Sequence, residues 1–337
     1  MRIACLITDL EIGGTERVLE RLVTNLSPGF EPLVISMMGE GPIAERLRPR
    51  VPVVELKMRG KLDASVMPKA AATLREFRPD VLHTFLFHAN VLGRIVGSLA
   101  PVPKTVCSLR TLEGKAYHAP VQRFTWRGFD RVVCASRAVA EHARRRMGIR
   151  GARVIHNGVP LPSNRGGIKE ELGLAPLVAT SVRMAKGKGA REFVGLAARI
   201  PEAHFVLIGG GAEEADLRRI AGPNVRFAGW RDDAAALLVD ADVFVHASRL
   251  GEGFPNAVAE AMAAGCAVVA TDAGGTREVV GDAGVVTDDL EPAVRALLAD
   301  GARRRALGRA ARDRAERFFS IAAMVRAYED LYREMIP

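Results

Sequence analysis

The stretch Ser248-Arg-Leu-Gly-Glu-Gly-Phe-Pro-Asn-Ala-Val-Ala-Glu-Ala-Met-Ala-Ala-Gly265 places two carboxylates, Glu252 and Glu260, on either side of a Gly-Phe-Pro turn. Asp242-Val-Phe-Val-His-Ala247, just before it, is an apolar run bounded by polar residues, which reads as a buried strand. Ala257 to Ala264 is nearly all small helix formers, and Gly265 stands where helices commonly stop. The element is therefore strand, glycine-bearing loop, helix. Glu252 falls in the loop, at the strand end where α/β sheets present ligand-binding groups. Glu260 sits mid-helix, with Asn256, Ala257, Ala263 and Ala264 as its neighbours three and four positions away. A carboxylate on so bare a surface needs hydrogen-bond donors. A lone helical glutamate would point to solvent or pair with an arginine. Two spaced across this junction could both face one hydroxyl-rich ligand at the carboxyl end of a sheet.

Outward from this element the same alternation runs through the chain. Strand-like runs at Ile3–Thr8, Leu33–Ser36, Val51–Leu56, Val81–Phe85, Thr105–Leu109 and Arg131–Ala135 alternate with helical patterns. The first helix is expected from Thr15 to about Leu26 and the fourth near Asn90–Leu99. After Arg153-Val-Ile-His-Asn-Gly-Val-Pro160, a Pro, Ser, Asn and Gly segment through Gly167 reads as a connection. The rhythm restarts with strands at Val178–Val182, Phe205–Gly209, Val225–Ala228, Val243–Ala247, Ala267–Ala270 and Gly284–Val286. The fold expected is α/β, two doubly wound Rossmann-like domains over residues 1–162 and 163–320, with a cleft between their strand ends. A last helix, about 321–337, carries Met324, Val325, Tyr328, Leu331 and Tyr332 on one face and is expected to pack back on the first domain.

Composition narrows the class. A chain of 337 residues suits two domains, and 48% hydrophobic residues with only 5% aromatic imply cores of Ala, Val, Leu and Ile. No twenty-residue apolar run and no basic, apolar leader is present, so a soluble cytoplasmic protein is expected. Cys5, Cys107, Cys134 and Cys266 are far apart, with no metal-ligand spacing and no C-x-x-C pair, as for buried reduced thiols. Residues 1–160 carry 25 Lys and Arg against 14 Asp and Glu, a net of +11, and the remainder 23 against 25, a net of −2. The first half is therefore expected to meet something anionic, an acidic membrane surface or a phosphorylated acceptor. Nucleic acid is not expected, because no recognised motif accompanies the charge. Phe124, Trp126 and Phe129 among Arg123, Arg127 and Arg131 fit either core packing or a membrane-facing stretch.

Several smaller constellations carry chemistry. Gly13-Gly14 follows the first strand and opens a helix, where backbone N–H groups can hold a phosphate, although a plain tight turn needs the same residues. Arg183 and Lys188, in Val182-Arg-Met-Ala-Lys-Gly-Lys-Gly-Ala190, could neutralise a diphosphate or form a solvated basic loop. Gly274-Gly275-Thr276 offers further amides ahead of another helix. Asp240-Ala-Asp242 has the look of a metal site, but its place between a helix end and a buried strand suits capping better. There is no nucleophile elbow, no P-loop and no zinc spacing.

Together these residues resemble family 4 of the retaining glycosyltransferases, whose fold is GT-B. The resemblance rests on Gly13-Gly14-Thr15-Glu16, Asn157-Gly158-Val159, Arg183 with Lys188-Gly189, Phe227-Ala-Gly-Trp-Arg-Asp-Asp233, the pair Glu252 and Glu260 around Glu-Gly-Phe-Pro, and Ala273-Gly-Gly-Thr-Arg-Glu278. It implies that Glu252 and the loop Gly253, Phe254, Pro255 and Asn256 contact the donor sugar, and that Glu260 holds the nucleotide ribose. It implies that Arg183 and Lys188 bind the diphosphate, joined by the amides of Gly13, Gly14, Gly274 and Gly275. The donor is then a nucleotide sugar, expected to be a UDP-sugar, and no metal or other cofactor is expected. The acceptor is expected to be a glycan, a lipid-linked sugar or a small molecule. Relatives carry a histidine near the end of the fifth strand, where this chain has Arg110, so His83 or His88 takes part instead or the acceptor chemistry differs. A UDP-GlcNAc 2-epimerase-like isomerase and a non-catalytic binding partner are the alternatives.

Overall fold

A computed structural model describes residues 1–39, 41–60, 63–112, 118–162 and 167–336. Residues 163–166 of the expected connection, and Glu113, lie outside the described residues. The chain divides into two units: Met1–Gly158 with Ile321–Pro337, and Val159–Ser320 between them.

The first unit holds a sheet of seven strands, all parallel: β1 (Arg2–Ile7), β2 (Glu31–Ser36), β3 (Val53–Glu55), β4 (Val81–Phe85), β5 (Lys104–Leu109), β6 (Arg131–Cys134) and β7 (Arg153–Val154). Their order is β3-β2-β1-β4-β5-β6-β7. The strands are near-continuous runs of Ile, Val, Leu and Cys because helices cover both faces of the sheet. The second unit repeats the plan with six parallel strands, β8 (Leu177–Ser181), β9 (His204–Ile208), β10 (Val225–Gly229), β11 (Val243–His246), β12 (Ala267–Ala270) and β13 (Val285–Val286), in the order β10-β9-β8-β11-β12-β13. In each sheet the strand order reverses once, between β1 and β4 and between β8 and β11. Ligands of doubly wound sheets bind at the carboxyl ends of the strands beside such a reversal.

Local chemistry moves some element ends from their expected places. The first helix is Gly14–Val23 and stops short of Leu26. Thr24 Oγ1 donates to the Glu20 carbonyl at 2.7 Å and Asn25 Nδ2 to the Arg21 carbonyl at 2.8 Å, so side chains satisfy the last turn. The fourth expected helix begins early, at Phe87, directly after Leu86 turns the backbone at φ 73°. The run at Val51–Leu56 pairs as a strand only over Val53–Glu55.

The last helix, Ile321–Met335, belongs to the first unit. Met324, Val325, Tyr328, Leu331, Tyr332 and Met335 join the core formed by β1, β4 and the helix Gly14–Val23. Tyr332 Oη lies 2.7 Å from Nδ1 of the buried His83, whose Nε2 is 2.7 Å from Ser108 Oγ. Arg110, also buried, donates to Tyr328 Oη at 3.1 Å and to Asn157 Oδ1. Burial drives His83 well below the usual histidine range, and the Arg110 charge adds to the shift. All four cysteines are buried and free. Burial pushes the Cys5 and Cys134 thiols up to about 12.

Candidate functional site

The second unit gathers its chemistry where β8 and β11 lie side by side. Gly187 and Gly189, on either side of Lys188, take φ of 79° and 92°, which only glycine adopts without strain. A Cβ on Gly189 would stand 2.4 Å from the carbonyl carbon of Ala247. The loop leaving β8 is therefore pressed onto the chain leaving β11. Arg249 N donates to the Gly187 carbonyl at 3.2 Å, which ties the two loops together.

This packing brings Lys188 Nζ to 3.0 Å from Glu252 Oε1, with the side chains 23% and 21% exposed. The Glu252 backbone is fixed from a third loop, since Gly275 N donates to its carbonyl at 2.9 Å. Thr271 Oγ1, beyond the end of β12, donates to the Ser248 carbonyl at 2.5 Å. Phe254 is buried, edge-on to Phe319 with ring centroids 5.4 Å apart. Pro255 then leads into the helix Asn256–Ala263, whose first turn places backbone amides beside the same loop.

Each residue expected from the sequence has a definite place. Glu252, Lys188, Gly253, Phe254, Pro255, Asn256, Gly274 and Gly275 lie on the three loops that follow β8, β11 and β12. Arg183 stands on the first of these loops and is exposed. Glu260 is 7% exposed, so neither solvent nor an open surface surrounds it. The amide of Gly275 is engaged with Glu252, and that of Thr276 donates to Ala273 O at 3.2 Å. Gly13 and Gly14 belong to the other unit, where they open the helix after β1. Glu16 Oε2 lies 2.1 Å from where a Cβ on Gly13 would be, so the Glu16 side chain folds back over the helix start, as a third-position glutamate does in a capping box.

Other sequence features resolve as structure. Asp240 accepts from the amides of Lys169 and Glu170 at 3.0 and 2.7 Å, which caps the helix Ile168–Leu172. Asp242 pairs with Lys169 Nζ at 2.7 Å and Arg304 at 3.2 Å, and accepts from Leu177 N at 2.9 Å. His83 has both ring nitrogens engaged, which is the arrangement of a structural histidine. Phe129 is buried and Trp126 packs against the same small cluster, whereas Phe124 is 74% exposed. Among the described residues, no group of three or more His, Cys, Asp and Glu is placed to hold a metal ion, and no helix is long and apolar enough to cross a membrane.

One buried polar residue next to these loops escaped the sequence reading. His246, the last residue of β11, hides inside the run Val243-Phe-Val-His246 and is as buried as the valines beside it. A polar residue in an otherwise apolar strand, one step before a chemistry-bearing loop, was the available signal.

Comparison with known proteins accords with this geometry. Residues 12–162 match the family model described as Glycosyltransferase Family 4, and residues 175–300 match that described as Glycosyl transferases group 1. The chain is a family 4 glycosyltransferase. Its fold is GT-B, as in the structures of HepE from Anabaena solved with UDP, with UDP and glucose, and with UDP-glucose. These superpose with TM-scores of 0.87, 0.88 and 0.86 at 22–23% identity, over 99% of this chain and 100% of theirs. This family 4 enzyme is 29% identical, over 95% of both chains, to the lipopolysaccharide core biosynthesis glycosyltransferase LpsE of Rhizobium meliloti. It is 26% identical, over 78% of this chain and 77% of the other, to the Escherichia coli UDP-Gal:alpha-D-GlcNAc-diphosphoundecaprenol alpha-1,3-galactosyltransferase.

Proposed function

We propose that the enzyme transfers a sugar from a UDP-sugar to a glycan or lipid-linked acceptor of the cell envelope, with retention at the anomeric carbon and without a metal ion. The observation that carries this reading is the Lys188–Glu252 pair at the β8/β11 reversal, a cation and a carboxylate held by three strand-end loops. As the glycosidic bond to the diphosphate breaks, negative charge builds on the leaving phosphate and positive charge on the sugar. Lys188 and Arg183 supply fixed positive charge to the phosphate, and the amides at the start of Asn256–Ala263 add to it. Glu252 and the 253–256 loop hold the sugar hydroxyls, and Glu260 holds the ribose. With both glutamates so occupied, neither is the base. The departing phosphate oxygen takes the acceptor's proton as the acceptor oxygen attacks from the same face.

The UDP donor is supported by the nucleotide in the HepE complexes and in the name of the E. coli relative. The acceptor class is supported by that relative and by LpsE. A place at the cytoplasmic face of an anionic membrane is supported by the net +11 of residues 1–160 and the exposed Phe124 beside Arg123 and Arg127. The test is release of UDP from UDP-sugars with acceptor, in excess EDTA. Unchanged turnover is expected, and strict dependence on added Mg²⁺ or Mn²⁺ would remove the metal-free step. Sedimentation with acidic liposomes should show salt-sensitive binding.

A further inference from the structure

His246 is 3% exposed, and neither Nδ1 nor Nε2 has a hydrogen-bond partner. A buried imidazole with both nitrogens bare is costly, and such groups in native proteins call for an account. The loops around it need nothing from its ring. They are held by backbone carbonyls, with Gly187 O, Ser248 O and Glu252 O accepting from Arg249, Thr271 and Gly275. His246 ends β11 at the register position facing Ala270, two residues before Ser248 in the loop that these bonds hold. Two charged groups act on it, Glu252 and Lys188, the two halves of the ion pair above. Burial lowers its proton affinity, the Glu252 charge opposes that effect and the Lys188 charge reinforces it, so the ring is neutral and carries one N–H to donate.

The pair itself is a state that a ligand must change. Lys188 without a phosphate is neutralised by Glu252, and a diphosphate that takes Lys188 removes that carboxylate's cation. We propose that His246 is a positioning residue for the donor: once a nucleoside diphosphate takes Lys188, the released Glu252 carboxylate accepts a hydrogen bond from the His246 ring N–H and is held toward the sugar. This rests on the reading that Lys188 binds the diphosphate. It gives a use to a histidine in a strand that Val243, Phe244 and Val245 show to be apolar. A leucine there would satisfy the core and leave the released carboxylate without a donor.

The experiment measures UDP and GDP binding by calorimetry on the full chain, for wild type, H246L and H246Q. For whichever nucleotide binds, H246L should weaken binding about tenfold or more, since a hydrogen bond to a charged group is lost. H246Q, which keeps an N–H donor, should return it to within about threefold. The melting temperature of ligand-free H246L should equal or exceed that of wild type, because an unpartnered polar group leaves the core. In an E252A background, H246L should cost nothing further. Wild-type affinity in H246L, or equal weakness in H246L and H246Q, would overturn the role of His246 and leave the Lys188 site standing. Failure of wild type to bind either nucleotide would remove the Lys188 reading and this proposal with it. Should H246L not fold, nitrogen-15 spectra of the wild-type histidines decide: a newly hydrogen-bonded His246 N–H on adding the nucleotide supports the role, and an unchanged ring signal overturns it.

Discussion

Two buried histidines stand one in each unit, and they are opposites. His83 has both nitrogens bonded, to Tyr332 and Ser108, and its ring lies 5.4 Å from that of Tyr328. His246 has neither nitrogen bonded and feels the charges of Glu252 and Lys188. The same side chain, equally hidden from water, serves the fold in one place and is left unserved by it in the other. A buried polar group that the fold satisfies serves stability, whereas one left open beside an ion pair at a strand-end loop calls for an account of its own.

That contrast can be broken most forcefully at the ion pair. K188A should lower transfer by about 100- to 1,000-fold in kcat/KM, the usual loss when one preorganised charge-stabilising group is removed. Its melting temperature should stay close to wild type, because a partly exposed pair contributes little stability. A large loss of stability with modest loss of transfer would make Lys188 structural. In the first unit the order reverses. H83A should cost about 3 kcal/mol in denaturant unfolding, from the cavity and from Tyr332 and Ser108 left without their partner. Y332F removes only one hydroxyl and should cost about 1 kcal/mol. A cost near zero would show that the final helix is held by its apolar face alone.

The remaining contrast is in pH. Both histidines are held neutral by burial, so the unfolded chain binds protons that the folded chain does not once the pH drops below about 6.5. Stability is then fully present above that pH and is lost as pH falls, by about 1.4 kcal/mol per pH unit for each histidine. Melting curves from pH 7.5 to 5.5 should show this slope, shallower in H246L than in wild type. Equal slopes would mean that His246 takes up its proton without unfolding.

The alternating strands and helices were legible because most strands are largely apolar runs and many of the connections carry a glycine or proline. Glu252 and Lys188 stood out in the sequence as charged residues beside glycines at strand ends, and Glu260 as a carboxylate among alanines in mid-helix. The ion pair did not, since 64 residues separate Lys188 from Glu252 and only the close approach at Gly189 brings them together. His246 was hidden because periodicity places a residue on a strand without saying whether its polar atoms find partners. His83 and Tyr332, 249 residues apart, meet through a helix whose apolar face announced that it packs, and not on what. The early stop at Val23 turned on two side-chain bonds, a matter of local competition that helix-forming tendency does not contain.

The last helix also fixes an order of events. The first unit begins at Met1, yet its core takes in Met324, Val325, Tyr328 and Tyr332. The second unit closes at Ser320, which bridges to Val159 where that unit started. On the ribosome, the part that emerges first is thus completed last. Until residues 321–335 emerge, His83 lacks Tyr332, a patch of the first core stays open to water, and the second unit has already had time to fold.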